Sequence, residues 1–373
     1  MMNKEIFYWL GFNLFSSFGG DEVKHIIEAF SGDISHAYNA SINEIKRIEG
    51  VSTLKYKVFL EKKDEDKLKR EIEKIKKYDV DIMTYDSSLY PFRLKEIYYP
   101  PILLYAKGTY VDILKHNLVI AIVGSRKMTD YGAACAENIA RKLVESDVVI
   151  ISGLAKGIDS VAHKTAVNFG GYTIGVSGCG MDIVYPSYNL RVYEEVKKQG
   201  CIITEFPFGT RPYKWNFPRR NRIIAGISLG VIVIEAASRS GSLSTARIAL
   251  SENRDVFAVP GNINRINSKG TNRLIQEGAK LVTSPEDVLI DYEHLLPKKS
   301  IEGKKVVLKP EQLQIVNAIM EGKDTFDKIA LETEIPIGRL AYLLTIMQVD
   351  GIIKEGIGKR YTLLRTDIEG ISE

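Results

Sequence analysis

The chain has 373 residues, a net charge of +4, 45% hydrophobic and 26% charged residues, which is ordinary for a globular protein with room for two or three domains. No apolar run approaches the roughly 18–20 residues of a membrane helix, so no membrane span is expected. Residues 1–12 lack a secretory cleavage site, so no signal peptide is expected. Three cysteines without metal-ligand spacing fit reduced thiols in a cytoplasmic protein with no metal or cofactor.

The N-terminal part alternates short helix-like segments with glycines, which predicts a small α-helical domain over residues 1–78. Residues 45–51 are typical of a helix that ends in a glycine turn, as in helix-hairpin-helix modules, where backbone N–H groups can face phosphate. A small packing domain explains the same pattern equally well. Residues 61–77 carry i,i+4 charge pairs and are expected to form a charged helix with a solvated face.

Residues 118–284 repeat one unit, in which a β-branched apolar run ends at glycine and a helix-like segment follows. Such alternation is typical of a parallel sheet that is buried on both faces. The sequence therefore predicts an α/β domain with a doubly wound, mostly parallel sheet over residues 79–293, whose carboxyl strand ends bind ligands. Two further strands, near 81–85 and 102–105, are expected to open the domain or join its sheet. The six apolar runs are residues 118–123, 148–151, 172–176, 201–204, 230–234 and 256–259.

The C-terminal part begins with residues 294–309, which lack periodicity and contain Pro297 and Gly303, so a linker is predicted. Residues 310–373 then show three helical patterns followed by two short strands, the order of a winged helix. The last helix offers Arg339, Gln348 and few other polar side chains. Protein contact and DNA binding therefore remain equally open for this domain.

The first run of the repeat ends in Gly124-Ser125-Arg126, and a helix is expected to begin near Thr129 or Tyr131. A helix N-terminus supplies free N–H donors and partial positive charge, and an arginine fork matches phosphate oxygens. The dinucleotide pattern G-x-G-x-x-G and the phosphate loop G-x-x-x-x-G-K-[ST] are both absent. These residues predict an oxyanion site, with an arginine on a surface turn as the alternative.

The second and third runs end in similar turns. Lys156 lies between two glycines after the second run, and Asp159 is a candidate cap for the following helix. His163 lies one turn into that helix, where a structural hydrogen bond explains it better than catalysis. Cys179 lies in a glycine-rich turn and is a candidate nucleophile, but no nearby histidine supports that role.

The most informative local pattern is a basic and aromatic segment. Between Arg211 and Arg222 there are five cations and no acid, interleaved with Tyr213, Trp215 and Phe217. Cations follow a phosphate backbone, and aromatic faces stack on unpaired bases at roughly 1–3 kcal/mol per base. At least one of Trp215 and Phe217 is expected to anchor the segment in the core.

Two more turns carry polar groups. Asn221 and Arg222 are expected to start a helix whose N-terminus faces the same crevice, and Ser240 and Ser242 offer N–H and O–H groups to an oxyanion. No paired carboxylates, metal triad or Ser-His-Asp order is evident.

Two glutamates, Glu205 and Glu235, also end predicted strands, so an acid/base role is conceivable. One of the two is expected instead to cap a helix or to orient a neighbouring arginine.

Several of these motifs, in order and spacing, resemble the DNA-processing protein A family (DprA, also called Smf) over about residues 81–287. They are Gly124-Ser125-Arg126, residues 152–159 with Ala162-His163, Gly178-Cys179-Gly180, Tyr185-Pro186, residues 217–226, Ser240-Gly241-Ser242 and residues 257–261.

The resemblance implies a cytoplasmic bacterial protein with an extended Rossmann fold, flanked by a helix-hairpin-helix or sterile-alpha-motif-like domain and a C-terminal winged helix. It implies a protein without enzymatic activity that binds and protects single-stranded DNA and loads the RecA recombinase in natural transformation. It also implies a homodimer formed through the Rossmann domain.

The resemblance carries over to individual residues. Arg126 and Lys156 match positions used for DNA phosphates, and Lys214 and Phe217 match a cation and a stacking ring. Whether Arg219, Arg220 and Arg222 touch DNA or hold the fold is left open. The candidate DNA-binding residues are Gly124, Ser125, Arg126, Lys156, Lys214, Phe217, Asn221, Arg222, Ser240 and Ser242.

Two other functions compete with this one. The central fold is also similar to nucleotide-processing phosphoribohydrolases of the lysine-decarboxylase-like group, whose Pro-Gly-Gly-x-Gly-Thr-x-x-Glu motif carries a catalytic glutamate. Residues 240–246 read Ser-Gly-Ser-Leu-Ser-Thr-Ala here, and the glutamate position is lost, which argues against hydrolysis. The other alternative is a sequence-specific regulator that acts through the predicted winged helix.

Overall fold

The computed structural model describes residues 4–15, 18, 20–296, 306–349, 352–355, 360–363 and 368–369. The chain divides into two compact units, Met1–Leu296 and Pro297–Glu373. Most of the predicted linker, residues 297–305, lies outside the described residues. Among the helices that are described, none has the length and apolar character needed to cross a bilayer.

A single nine-stranded sheet forms the centre of the first unit. Its strands are β1 (Asp81–Thr84), β2 (Leu103–Gly108), β3 (Val119–Gly124), β4 (Val149–Ser152), β5 (Thr173–Val176), β6 (Gly200–Thr204), β7 (Gly230–Ile234), β8 (Asp255–Ala258) and β9 (Lys280–Leu281). They are arranged in the order β1-β2-β6-β5-β4-β3-β7-β8-β9. β1 and β2 form an antiparallel edge on β6, and all other neighbouring pairs are parallel.

All six apolar runs are strands, which confirms the predicted α/β class with its mostly parallel sheet. The two extra strands join the sheet, as one of the two expectations had it. β9 was not predicted, because it has two residues and both are exposed.

The helices of the first unit precede the sheet or connect its strands. Before the sheet come α1 (Lys4–Phe15), α2 (Gly20–Ala29), α3 (Ile34–Asn39), α4 (Ile42–Ile45), α5 (Thr53–Lys62) and α6 (Glu65–Lys77). The others are α7 (Phe92–Lys95), α8 (Asp130–Glu145), α9 (Ile158–Asn168), α10 (Leu190–Lys198), α11 (Asn216–Ile227), α12 (Gly241–Ser251), α13 (Lys269–Gln276) and α14 (Glu286–Leu289). Short 3-10 helices span Val111–Lys115, Ser187–Asn189, Ile266–Ser268 and Ile290–Leu295.

Each face of the sheet has its own apolar core, because alternate residues of a strand point to opposite faces. In β3, Val119 and Ala121 belong to the core covered by α11 and α12, whereas Ile120 and Ile122 belong to the core covered by α8 and α9. A strand that is covered on both sides must be apolar at every position. This explains the continuous hydrophobic runs of the sequence.

The N-terminal helices pack against the antiparallel edge of the sheet. Their core contains Trp9, Phe12 and Phe59 together with Tyr105 of β2. The Tyr105 hydroxyl donates to the carboxylate of Glu71 in α6 at 2.8 Å. Burial raises the pKa of that carboxyl group. α6 is therefore anchored on the sheet.

The predicted boundaries of the N-terminal helices need one correction. The predicted charged helix over residues 61–77 begins at Glu65, because the Asp64 side chain accepts a hydrogen bond from the Lys67 amide and caps it. The charged face is exposed at Lys69 and Glu73, as predicted, and another face is buried through Leu68 among others. The predicted glycine turn exists, with Gly50 at φ +77°. Its contact with phosphate stays a prediction.

The second unit contains three helices, α15 (Pro310–Met320), α16 (Phe326–Thr333) and α17 (Ile337–Val349), and four short strands, β10 (Val306–Val307), β11 (Ile353–Glu355), β12 (Tyr361–Leu363) and β13 (Ile368–Glu369). β11 and β12 pair antiparallel, and β10 and β13 pair parallel. Residues 356–359 lie outside the described residues. Arg339 of α17 is paired with Glu311 at 2.7 Å. The winged-helix assignment stays a prediction.

His163 of α9 is fully buried against the sheet. Its Nδ1 lies 2.7 Å from the Thr173 hydroxyl, which donates to the Ile150 carbonyl. Because that bond uses the hydroxyl proton, Nδ1 must be the donor to Thr173. Nε2 is buried with no hydrogen-bond partner among the described residues. Burial, and to a lesser degree Arg220, lowers the pKa of His163 to about 3. The imidazole is thus a neutral structural group.

We expect acid to destabilise the fold through His163. Its folded-state pKa is depressed from the usual value of about 6.5, so below that pH the unfolded chain gains a proton that the folded chain does not. The free energy of unfolding should fall by about 2 kcal/mol from this group between about pH 7 and pH 5. Urea unfolding at both pH values measures the loss. His163→Gln keeps an amide donor for Thr173 but cannot titrate, so this variant should not show the loss of stability between pH 7 and pH 5. Equal pH dependence in the wild type and the variant would contradict the assignment.

Candidate nucleic-acid interface

A crevice opens where the order of the strands reverses. From β3 the chain moves outward through β4, β5 and β6, then returns to β7 on the other side of β3. The loops that follow β3 and β7 therefore diverge, and such a switch point is where open α/β sheets bind ligands. A cavity of about 710 Å³ lies there, lined among others by Gly124, Ser125, Arg126, Phe217, Asn221 and Ser242.

Cations and aromatic rings meet at the mouth of this crevice. The Arg126 guanidinium lies over the Phe217 ring, 5.4 Å from its centroid. Lys156 Nζ lies 5.9 Å from the centroid of the Tyr188 ring. A smaller hollow, which shares Arg126 and Phe217 with the crevice, is lined by these four residues and by Tyr185. We call these five residues the basic-aromatic surface.

The first predicted anion site is occupied from within the chain. α8 begins at Asp130 with Thr129 as its N-cap, as predicted. Glu235, which follows β7 directly and has φ +53°, accepts hydrogen bonds from the Thr129 amide at 2.8 Å and from its hydroxyl at 2.5 Å. Gly132 allows this approach, since a Cβ there would lie 2.4 Å from the Glu235 carboxylate. This helix N-terminus therefore already holds a carboxylate, and Glu235 is the helix cap that was expected.

The N-terminus of α12 differs, because hydroxyl groups rather than a carboxylate satisfy it. Ser240 is the N-cap and accepts from the Ser242 amide at 3.4 Å, and the two hydroxyls lie 2.7 Å apart. A Cβ at Gly241 would meet no atom within 4 Å, so this turn faces open space. Asn221 contacts the Gly241 carbonyl at 3.5 Å. Ser240, Ser242 and Asn221 thus form one polar wall of the crevice.

Arg220 is a structural residue inside the fold. It is buried, and its Nη1 donates to the carbonyls of Gly153 and Val176, the latter at 2.5 Å. Burial lowers the pKa of Arg220, and the charge of Asp159 acts against this shift. The N-cap of α9 is Gly157, so the predicted cap at Asp159 was wrong. The Asp159 carboxylate instead accepts a hydrogen bond from the Ala155 amide in the preceding loop.

Arg222 and Arg219 share the carboxylate of Glu205. Arg222 Nη2 lies 2.5 Å from Glu205 Oε2, and Arg219 Nη2 lies 3.3 Å from the same atom. Arg222 is only 15% exposed and does not line the crevice, whereas Arg219 remains mostly exposed. The ion pair explains why Arg222 does not reach the candidate interface, so its predicted contact with DNA gains no support here. Glu205 orients the two arginines.

The basic and aromatic segment is held by a residue that the sequence reasoning missed. Asn216 is buried, and its Nδ2 donates to the carbonyls of Gly178 and Arg211 at 3.1 Å. Of the two rings that could anchor the segment, Phe217 is partly buried and Trp215 is exposed. The centroid of the Phe217 ring lies 5.6 Å from that of Tyr185. Asn216 is the first residue of α11, so the predicted start of this helix at Asn221 was wrong. An asparagine at a helix start often bonds nearby backbone groups, and this was the available signal for such an anchor. Lys214 is exposed on the same segment.

Cys179 is not placed to act as a nucleophile. The thiol is buried and donates to the Ile183 carbonyl at 3.2 Å. Burial raises its pKa, which keeps it protonated. Among the described residues no group of three His, Cys, Asp or Glu side chains could hold a metal ion.

The family described as DNA recombination-mediator protein A matches residues 81–293. The chain belongs to this family. The DNA processing protein DprA of Streptococcus pneumoniae R6 is 50% identical over 204 residues, which cover 55% of this chain and 71% of that relative. The X-ray structure of DNA processing protein A from Streptococcus pneumoniae is similar with a TM-score of 0.66 and 38% identity, covering 78% of this chain and 98% of that one.

A second solved structure concerns the single-stranded DNA binding mode of DNA processing protein A from Helicobacter pylori. It has a TM-score of 0.53 and 31% identity, covering 58% of this chain and 98% of that one. The family match spans β1 to β9 and therefore includes the whole crevice. The predicted resemblance is confirmed, and it falls on the part of the chain that builds the candidate interface.

The two neighbouring arginines allow a matched test of the structural assignment. Arg220→Met should lower the free energy of unfolding by about 3 kcal/mol or more, because it leaves two buried carbonyls without a donor and the buried Asp159 without a nearby positive charge. Arg219→Met, at the exposed neighbour, should change it by no more than about 0.5 kcal/mol. Chemical denaturation of both variants measures the difference. Similar stability losses in the two would contradict the assignment.

Proposed function

We propose that this protein binds and protects single-stranded DNA and loads a RecA recombinase onto it during natural transformation. The observation that carries the proposal is the basic-aromatic surface at the mouth of the crevice. Among the described residues, Arg126 and Lys156 make no ion pair, and both lie beside aromatic rings. The Helicobacter pylori relative is described by its single-stranded DNA binding mode.

The chemistry of the surface suits an unpaired strand. Arg126 and Lys156 supply charges for phosphates, and the partly exposed Phe217 ring supplies a face for a base. The polar wall of Ser240, Ser242 and Asn221 adds hydrogen-bonding groups in the same crevice. Recombinase loading and natural transformation rest on the family to which the chain belongs. The cytoplasm is the proposed setting, and the three cysteines are unpaired.

Binding without catalysis is the function we favour over hydrolysis. A hydrolase of the similar phosphoribohydrolase group needs a glutamate that is free to act on its substrate. Glu235 is used as a helix cap and Glu205 holds two arginines, so the geometry gives neither carboxylate a free position in the crevice.

Arg126→Ala combined with Lys156→Ala should weaken binding of oligothymidylate by roughly tenfold or more, because two phosphate contacts are lost. The slope of log K against log salt should fall in magnitude by about 1.4, since each contact to a single strand contributes about 0.7. Fluorescence anisotropy with a labelled oligonucleotide over a range of salt concentrations measures both quantities.

A matched control removes two cations from the other edge of the sheet. Arg141→Ala with Lys142→Ala changes the charge equally at the C-terminal end of α8, away from the carboxyl ends of the strands. This variant should bind almost as tightly as the wild type. Equal losses in the two double variants would mean that net charge, rather than the basic-aromatic surface, determines binding.

We also propose that the homodimer forms through the loop between β8 and α13. Ile263 is 80% exposed there and lines a shallow hollow with Lys269 and Arg273. Ile266, three residues further along, is 70% exposed at the rim of the crevice. Exposed apolar residues that lie close together mark interaction surfaces. A twofold interface brings the same patch of both subunits together, so a small apolar patch can cover itself.

Ile263→Glu combined with Ile266→Glu should shift the protein to a monomer, because four carboxylates would meet in the proposed interface. Sedimentation equilibrium measures the change in mass. Leu250→Glu combined with Ile290→Glu replaces two other exposed apolar residues of the same unit and should leave the dimer intact. A wild type that sediments as a monomer, or a dimer that survives the first pair of substitutions, would refute this surface.

A further inference from the structure

Two aromatic side chains of the basic and aromatic segment stack on each other in solvent. The rings of Tyr213 and Trp215 have centroids 4.7 Å apart and planes inclined by 6°. Trp215 is 65% exposed and Tyr213 is 45% exposed. Exposing a tryptophan is unfavourable, since its ring would gain from burial like any other large apolar group. Packing of the fold does not explain this pair.

The backbone under the pair is fixed rather than loose. The Tyr213 amide donates to the Arg211 carbonyl at 2.8 Å, and the Asn216 amide donates to the Tyr213 carbonyl at 3.0 Å. The buried Asn216 side chain ties the same turn to the Gly178 carbonyl. The stacked rings therefore stand on a turn that the core holds in place.

The charge around the pair selects the kind of partner. Arg211, Lys214 and Arg219 are exposed on the same segment, and no acidic residue occurs between Glu205 and Glu235. A partner must therefore combine negative charge with flat faces that can stack. Unpaired nucleic-acid bases on their phosphate backbone have both properties, whereas a duplex hides its base faces.

We propose that Tyr213 and Trp215 form a second base-stacking site, outside the crevice, for the strand that the basic-aromatic surface binds. The inference rests on the proposed function and adds two residues to the path of the strand. Trp215 is the N-cap of α11 and Phe217 lies in its first turn, so one strand can pass from one ring to the other. Lys214, between the two stacked rings in sequence, is then placed to meet a phosphate.

Tryptophan fluorescence of the full-length protein tests the site directly, because the chain has two tryptophans and Trp9 is only 1% exposed. The ligand is an oligothymidylate of about 20 nucleotides. This is longer than the roughly 4–16 nucleotides that one OB fold, a common single-strand-binding domain, covers. We expect the emission of Trp215 to be quenched with the same midpoint as binding followed by anisotropy. A blunt duplex of equal length should leave the emission unchanged.

Variants separate stacking from other effects. Trp215→Ala should weaken oligothymidylate binding about fivefold or more, without lowering the melting temperature, because the ring is exposed. Trp215→Phe keeps a flat ring and should retain most of the affinity, and its remaining Trp9 emission should not respond. Tyr98→Ala removes an exposed tyrosine from another part of the surface and should bind like the wild type.

Three outcomes would overturn the inference. One is tight binding by the wild type with unchanged Trp215 emission and an unaffected Trp215→Ala variant; this leaves the proposed function standing. Another is equal quenching by the duplex. The third is a change of Trp215 emission with protein concentration alone, which would make the pair a contact between copies of the chain. A wild type that binds no oligothymidylate would refute the proposed function itself.

Discussion

One buried guanidinium determines the geometry on which the candidate interface depends. Arg220 bonds the carbonyls of Gly153 and Val176, and so ties α11 to the ends of two neighbouring strands. The loop after β4 carries Lys156, and the first turn of α11 carries Phe217. A charge that is buried among carbonyls is stable only while each of its hydrogen bonds is made. The placement of Lys156 relative to Phe217 therefore depends on Arg220, a buried residue beneath the surface.

The charged groups around the crevice fall into two classes that sequence position alone does not separate. Glu235 and Glu205 neutralise a helix N-terminus and two arginines within the fold, which removes them from the ligand side. Arg126 and Lys156 form no ion pair among the described residues and lie beside aromatic rings, so their charges remain available. The result is a site whose positive potential comes from a few exposed side chains, although the net charge of the whole chain is small.

Much of this arrangement was predictable, because the physics behind it is local. Six continuous apolar runs identify the strands, and Gly124 to Arg126 could be placed at a strand end by position alone. The inward turn of Arg220 also had a signal, since it precedes Ile223, Ile224 and Ile227 at the spacing of one helix face. The pairing of Glu235 with Thr129 joins residues 106 positions apart and left no local trace. The same holds for the ion pair that removes Arg222 from the crevice.

The contact between Arg126 and Phe217 has a thermodynamic consequence. A free arginine samples many rotamers, and ordering a long side chain on association costs about 0.5–1.5 kcal/mol. Resting on the ring, this guanidinium has given up part of that freedom before any ligand arrives. Removing the ring would therefore release the cation as well as delete a stacking face. The two side chains form a coupled pair, and their contributions to affinity should not add in a double-mutant cycle.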